Sequence, residues 1–434
     1  MFTGIRLKNF KSLVDFEVKF PKNRKLILIY GENGVGKSNF IDAFNTLRKL
    51  VMCKPIEIED ILELERIKQD RDLDNIDIND EVSIDLFRVS NLKRIIESCK
   101  TLNSEGENMS LSFEFNLNGK KGSYSIETDD NRIVSERLEY VYSKKIVEFF
   151  NINNDKILIN KKVIKNEEYY NDLMSSCEKY WGKNTLMSML FKDRLLKNDK
   201  YMSKCLTKNM IELVDYISNL NIGVSGQTLF MGIPLGKGTL PISQQVEIDK
   251  NEKILDDIFT NLYPDIKQAY YQKEVIDGVN IKYKLYFKKL VGNKILDVSI
   301  ARESKGTKQI LNLMQQILYS LDKQVLIIDE FDTGIHDILA KSILQSLYNS
   351  LDTQIIITTH NTLLIESKDL CKNAYVLTHN IDGSKEMSAI SDFEKRIHSN
   401  LNIRDRYLRG MYGGVPIPLD IDFSDYKDNN QEDY

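Results

Sequence analysis

The stretch "GENGVGKS", Gly31 to Ser38, constrains the architecture of this chain more than any other short segment in it. It fits the G-x-x-x-x-G-K-[ST] phosphate loop, and its flanks are the ones that loop requires: the apolar run "KLILIY" before it and the amphipathic run "NFIDAFNTLRKL" after it. Such a loop works when a buried strand leads in and a helix N-terminus leads out, because backbone N–H groups and the helix dipole hold the anion together. A strand buried on both faces needs helices over both faces of its sheet, so the expected fold class is α/β. The candidate ATP-binding residues are Asn33, Gly34, Val35, Gly36, Lys37, Ser38 and Asn39. Lys37 is placed to reach β- and γ-phosphates, and the Ser38 hydroxyl to ligate Mg²⁺.

A second group of chemistry-bearing residues lies far downstream. "QVLIIDEFD" is an apolar strand ending in Asp329 and Glu330, at the edge where open parallel sheets put their ligands. Asp329 suits the Mg²⁺ shell, and Glu330 suits a catalytic base or an orienter of the attacking water. "QIIITTH" repeats the design and ends in Thr358, Thr359 and His360, of which His360 is the candidate for a γ-phosphate contact. Between the two blocks, "ARESKGTKQILNLMQQILYSL" reads as a polar turn running into an amphipathic helix. Ser304 is its expected N-cap, and Gly306 leaves the backbone open to close approach. His336, His379 and His398 have no comparable company and read as ordinary histidines.

Composition narrows the class. The chain has 434 residues, 42% apolar and 29% charged, with 60 basic and 64 acidic side chains and a net charge of −4. That is a soluble globular profile with no basic excess for non-specific nucleic-acid binding. Five scattered cysteines (Cys53, Cys99, Cys177, Cys205 and Cys371) form no C-x-x-C pair, so neither zinc nor a disulfide framework is signalled. "MFTGIRLKNF" has no apolar signal core, and no run reaches the roughly eighteen apolar residues of a membrane span. A cytoplasmic protein is expected, with no membrane partner.

Along the chain, "TGIRLKNF", "VDFEVKF" and "KLILIY" read as strands, "IEIEDILELERIKQD" as helix, and the text around Asn118-Gly119 as a hairpin. Residues 1–143 are expected to form the N-terminal part of an ATPase head and 144–274 an inserted, mostly helical subdomain. Residues 275–420 then form the C-terminal part, and 421–434 an acidic tail, disordered by composition. No apolar heptad persists long enough for a coiled coil. The basic runs Lys161, Lys162, Lys165 and Lys282, Lys284, Lys288, Lys289 read as solvated faces before they read as a DNA contact.

In this order, a phosphate loop, a Ser-x-Gly helix start, a strand ending in Asp-Glu and a strand ending in His resemble the ABC-type ATPases, specifically their SMC-like branch. The fold implied is an SMC-like P-loop ATPase head, with Ser304, Lys305 and Gly306 as a signature motif that binds the γ-phosphate held by a second subunit. The blocks "IRLKNFKSL", "GENGVGKSNFIDAF", "ESKGTKQILNLMQQIL", "VLIIDEFDTGIH", "IIITTHNTLLI" and "RYLRGMYGGVP" together look like the RloA-like ATPases of bacterial anti-phage and abortive-infection systems, among them the AriA component of PARIS. That resemblance implies an ATP- and Mg²⁺-dependent ATPase, a homo-oligomer of two or more chains, a separately encoded TOPRIM-type nuclease and a phage trigger. It covers about the first fifty residues and most of those after Val298. The signature departs from the Leu-Ser-Gly-Gly-Gln of transporters, His336 fills the usual D-loop aspartate position, and no Q-loop glutamine stands out. Too short a stretch follows His360 for a fused TOPRIM nuclease, so the nuclease is expected on another chain. Two other functions stay open on the residues alone: an SMC-like maintenance ATPase that clamps DNA directly, and a nucleotide-gated scaffold with little turnover.

Overall fold

The computed structural model describes residues 1–53, 92–154, 156–223, 233–321, 323–394 and 402–416. The chain opens with β1 (Phe2–Phe10) and β2 (Leu13–Lys19), an antiparallel pair whose alternate residues are buried. In β3 (Leu26–Tyr30) the alternation disappears and all five residues are buried, as expected for a strand covered on both faces. The loop from Gly31 then enters α1 (Lys37–Met52), which buries Phe40, Ile41, Phe44, Leu47, Leu50 and Val51 at helical spacing. After α2 (Leu92–Cys99), a meander runs through β4 (Met109–Leu117), β5 (Lys120–Thr128), β6 (Ile133–Tyr142), β7 (Lys145–Asn153) and β8 (Lys156–Ile159). Asn118 and Gly119, at φ 53° and 77°, make the expected two-residue turn between β4 and β5.

Four helices follow: α3 (Glu167–Tyr180), α4 (Leu186–Leu196), α5 (Asp199–Cys205) and α6 (Lys208–Ser218). The first three start at Asn166, Thr185 and Asn198, whose side chains accept the N–H of Tyr169, Ser188 and Tyr201. The chain then passes through β9 (Asn221–Gly223), β10 (Lys237–Pro241), α7 (Gln245–Leu262), β11 (Ile266–Ile276), β12 (Asn280–Val291) and β13 (Lys294–Ser299). The final third alternates: α8 (Lys305–Ser320), β14 (Val325–Ile328), α9 (Asp337–Ser350), β15 (Gln354–Thr358), α10 (Lys368–Cys371), β16 (Ala374–His379). β17 (Lys385–Ala389), α11 (Ile390–Phe393) and α12 (Ile403–Leu408) complete it.

The strands make three sheets, ordered β2-β1-β4-β5-β6-β7-β8, β17-β16-β3-β15-β14-β9, and β10-β12-β11 with β13 also on β12. The second is the centre, and all its strands but β17 are parallel. Its two faces serve different cores. Ile27 and Ile29 of β3 join the first sheet, α1 and the helices after β8, whereas Leu26, Leu28 and Tyr30 join α7, α8, α9 and the third sheet. The buried Gln354 amide ties the first two sheets together, accepting the Phe2 N–H at 2.6 Å and donating to the carbonyls of Phe2 and Arg24. Because β15 lies between β3 and β14, the loops leaving β3, β14 and β15 emerge side by side at one edge.

The stretch 144–274 carries more helix than strand, but its strands are shared with all three sheets. Helices α3 to α7 are there, but β7 and β8 finish the first sheet, β9 lies beside β14 in the central one, and β10 and β11 belong to the third. The signal was hidden at a register shift opposite Leu138 and Glu139, which buries the consecutive Phe149 and Phe150 and breaks the two-residue period. The helical reading of 56–70, His398 and the acidic tail 421–434 lie outside the described residues.

One buried carboxylate fastens the helical layer to the first sheet. Glu136, on β6, accepts hydrogen bonds from the Tyr124 hydroxyl (2.8 Å), Trp181 Nε1 (3.1 Å) and the backbone N–H groups of Leu186 (2.6 Å) and Met187 (3.2 Å) at the start of α4. Glu136→Ala leaves all four donors unpaired, and urea denaturation should show a loss of at least about 3 kcal/mol. A loss under about 1 kcal/mol would mean that water replaces the carboxylate at no cost.

Candidate functional site

The loop after β3 is shaped by glycine. Gly31, Gly34 and Gly36 have φ of 149°, 77° and 116°, values that only glycine adopts without strain. At Gly31 a Cβ would also lie 2.6 Å from the Leu377 carbonyl oxygen on β16. The loop therefore follows the end of β3 closely and delivers Gly36 as the residue before α1. Lys37 folds back across it, and its ammonium donates to the carbonyls of Gly31 and Glu32, both at 2.8 Å. Those two carbonyl oxygens occupy the role that phosphate oxygens would take. The Ser38 side chain is exposed and makes no hydrogen bond among the described residues, Asn33 and Gly34 are exposed, and Val35 is buried. Asn39 Nδ2 donates to Ser12 Oγ at 2.7 Å, so the β1–β2 turn braces the first turn of α1.

The loops after β14 and β15 interlock through one hydroxyl. Thr358 Oγ1 donates to Asp329 Oδ1 at 2.5 Å and accepts the Glu330 N–H at 2.7 Å. Asp329 is buried, and its own N–H reaches the Gly223 carbonyl across to β9. Glu330 has φ 50°, an uncommon left-handed conformation for a side-chain-bearing residue, of the kind that collects at functional sites. Its carboxylate is exposed and accepts from Thr333 Oγ1 at 3.1 Å.

These groups share one electrostatic field. Burial pushes the Lys37 ammonium below the usual lysine range, while Asp329, Glu330, Asp332 and Glu32 act to hold it up. Burial, then Lys37, push His360 below the usual histidine range, against Asp332, Glu330 and Asp329. His360 is thus neutral at neutral pH and free to donate or accept a hydrogen bond. Residues 37, 329–330 and 360, widely separated in sequence, converge at one sheet edge. The donor set fits a Mg²⁺–nucleotide: a free serine hydroxyl, a buried aspartate with one oxygen left over, a lysine on stand-in oxygens and a bare glycine backbone.

The Ser304–Gly306 helix start lies elsewhere. Ser304 caps α8, accepting the Thr307 N–H at 3.1 Å. Behind it the buried Glu303 is ion-paired with Lys289 at 3.0 Å, so Lys289 is not part of a free basic run. Gly306 is backed by the loop after β14, since a Cβ there would lie 3.5 Å from the Gly334 carbonyl oxygen. His336 caps α9 by accepting the Ile338 N–H at its Nδ1, 3.3 Å away. Ser304 and Lys305 are exposed, and among the described residues no hydrogen bond or ion pair joins them to the phosphate loop. Two contributions went unassigned in the sequence: Thr358, visible only as a polar strand end, and the "RYLRGMYGGVP" segment, whose Tyr407 ring meets that of Tyr30 at 5.5 Å.

Comparison with known families settles the class. A family model described as "AAA domain, putative AbiEii toxin, Type IV TA system" matches residues 26–366. The chain belongs to this AAA-domain family. The match begins with the first residue of β3 and ends after the His360 loop, so it spans the whole edge described above. Among solved structures the chain is similar to an Smc head bound to the C-winged helix domain of ScpA, at a TM-score of 0.47 and 14% identity, over 91% of this chain and 99% of that one. It is also similar to an Smc head with an extended coiled coil bound to the C-terminal domain of ScpA derived from Pyrococcus furiosus, at 0.37 and 14%, over 91% and 98%. No curated protein matches the sequence. No helix among the described residues is long and apolar enough to cross a membrane.

Thr358→Val keeps the shape of the side chain and removes both hydrogen bonds, freeing Asp329 and leaving the Glu330 N–H without its acceptor. The Mg²⁺ concentration needed for half-maximal ATP binding should rise about tenfold, the usual cost of losing a residue that orients a metal ligand, and Thr358→Ser should restore it. An unchanged Mg²⁺ titration in Thr358→Val would show that the hydroxyl does not orient the aspartate.

Proposed function

We propose that this AAA-family protein binds Mg²⁺–ATP at the edge formed by β3, β14 and β15 and hydrolyses it slowly, as the sensor subunit of a bacterial anti-phage system that controls a separately encoded nuclease. The observation that carries the nucleotide reading is the convergence of Lys37, Asp329, Glu330 and His360 on one sheet edge, with mutual electrostatic influence across it. Residues Asn33 to Asn39 wrap the phosphates with backbone N–H groups, and Lys37 exchanges its two carbonyl partners for phosphate oxygens. Ser38 and Asp329 would hold Mg²⁺, which when bound neutralises charge on the β- and γ-phosphate oxygens. Glu330, exposed and fixed through its own N–H, orients the attacking water. Neutral His360 offers a hydrogen bond to the γ-phosphate.

Ser304, Lys305 and Gly306 complete the site of a second copy. An exposed, well-capped helix start with a glycine is an anion-binding end, and among the described residues no hydrogen bond or ion pair joins it to its own phosphate loop. Two chains placed head to head supply each other with it. The defence role follows from the resemblance to RloA-like ATPases, and the family's description as a toxin of a toxin–antitoxin system points the same way. A dimer interface made by nucleotide gives such a system its switch, because a partner docked beside it is held or released with occupancy. The partner we propose is a TOPRIM-type nuclease, in the cytoplasm.

Glu330→Gln should keep ATP binding and stop turnover, and Lys37→Ala should weaken binding itself; unchanged phosphate release in Glu330→Gln removes that carboxylate from its role. Mixing a Lys37→Ala chain with a Ser304→Arg chain should restore part of the activity, since one of the two shared sites in a mixed dimer is intact. Mixtures no more active than the single variants would exclude a shared site. Purified alone, the protein should leave DNA intact, and Lys37→Ala should abolish phage protection in cells. Robust cleavage by the isolated chain, or full protection by Lys37→Ala, would favour a direct DNA clamp or a passive scaffold.

A further inference from the structure

The segment after the AAA-family match returns to the back of the phosphate loop. Tyr407, on α12, donates its hydroxyl to the Gly414 carbonyl at 3.0 Å, and the Gly31 backbone N–H acts on the same phenol oxygen. Gly414 has φ 68°, and a Cβ there would lie 2.4 Å from Val376 Cγ1 on β16 and 3.2 Å from the Gly31 Cα. Gly31 already lies against the Leu377 carbonyl, so the first glycine of the loop is enclosed between β16 and Gly414. The same segment reaches the His360 loop. Arg404 Nε donates to Thr362 Oγ1 at 2.9 Å and Nη1 to Glu366 at 2.7 Å, while Tyr30, whose ring meets Tyr407, donates its hydroxyl to the Asn361 carbonyl at 3.0 Å.

We infer that the Tyr407–Gly414 turn is a positioning element of the nucleotide site, setting Gly31 at the start of the phosphate cradle and the His360 loop beside it from behind the sheet edge. Neither residue belongs to the phosphate loop. Each acts through the backbone: Tyr407 holds the Gly414 carbonyl, and Gly414 closes on the Gly31 Cα, which is what makes the placement specific. Burial among these groups pushes the Tyr407 phenol up to about 12, so it stays protonated and keeps donating to Gly414 throughout the neutral range. Gly414 must be glycine for two separate reasons, its left-handed backbone and the absence of space for a Cβ. Gly410, in the same turn, shares only the first: its φ is 75°, but a Cβ there would meet nothing within 4 Å.

That difference provides the test, which rests on the ATP-binding reading above. Mg²⁺–ATP affinity is measured on the full chain for Gly410→Ala, Gly414→Ala and Tyr407→Phe, at a temperature where circular dichroism shows each variant folded. Gly410→Ala carries the backbone strain without touching the loop, and its affinity should stay within about twofold of the parent. Gly414→Ala and Tyr407→Phe should bind ATP about tenfold more weakly, the loss expected when buried backbone groups give up their partner. The KM for ATP should rise with it, beyond any change in Gly410→Ala. Should Gly414→Ala fail to fold, Tyr407→Phe decides, since it preserves the ring packing against Tyr30. Affinities for Gly414→Ala and Tyr407→Phe equal to that of Gly410→Ala would overturn the inference. A parent chain that binds no ATP would instead overturn the nucleotide reading on which it rests.

Discussion

The Thr358 hydroxyl lies between the Asp329 carboxylate and the Glu330 N–H, and this one bridge joins the two loops on which the chemistry depends. It exists because β15 runs parallel to both β3 and β14 and separates them by one strand. A strand interposed there places its terminal residues between the phosphate loop on one side and the acidic pair on the other. The interposed strand then needs a polar end that can serve both neighbours. A threonine can donate one hydrogen bond and accept another at the same oxygen, which a carboxylate or an amide nitrogen cannot do. Most of the surrounding order, from the all-buried β3 to the register of β14 on β15, holds that oxygen in place.

Charge at this edge balances only in part within the chain. Lys37 is buried and meets two carbonyl oxygens where a phosphate would offer several negative ones. Asp329, Glu330, Asp332 and Glu32 raise its affinity for a proton against the cost of burial. Burying an ammonium away from water is expensive, and neutral carbonyls compensate it less well than an anion does. On the proposed reading, a bound polyphosphate would relieve that cost at Lys37, and Ser38 and Asp329 would hold a divalent ion that offsets the repulsion it brings to the carboxylates. The site is therefore suited to the pair of ligands more than to either one.

Legibility in the sequence followed the strength of the local constraint. The phosphate loop was readable because φ above zero at three positions and a helix start permit few residue types, and the Asn118-Gly119 hairpin for the same reason. "LILIY", "VLII" and "QIIIT" were readable because central parallel strands are apolar throughout. The strands within 144 to 274 were not legible because they are short, lysine- and asparagine-rich, or broken in register. Phe149 and Phe150 face the same core across a bulge, and the three residues of β9 are too few to show any period. Thr358 was legible as a residue and not as a bridge, since its value lies in the order of the strands. The segment around Gly413 and Gly414 was legible only as part of a matching block, because its target, Gly31, lies almost the whole chain away.

On the proposed reading, the exposed start of α8 is the part of the site that one chain would offer to a second copy. Glu303, just before Ser304, is buried and held by Lys289, which is also ion-paired with Asp265, so the base of the helix is rigid while its tip is open. Gly306 at that tip is backed by the Gly334 carbonyl, in the loop that leaves Glu330. The loop that carries the acidic pair therefore lies directly behind the helix start that, on the proposed reading, would meet a second copy. That loop runs from Glu330, at left-handed φ, to His336, which caps α9, and between them Phe331 and Ile335 are buried and the Phe331 N–H donates to the Thr358 carbonyl at 3.0 Å. On the proposed reading, one stretch of chain would then link the acidic pair of one phosphate site to the helix start that completes the other, since Glu330 and Gly334 lie in the same loop.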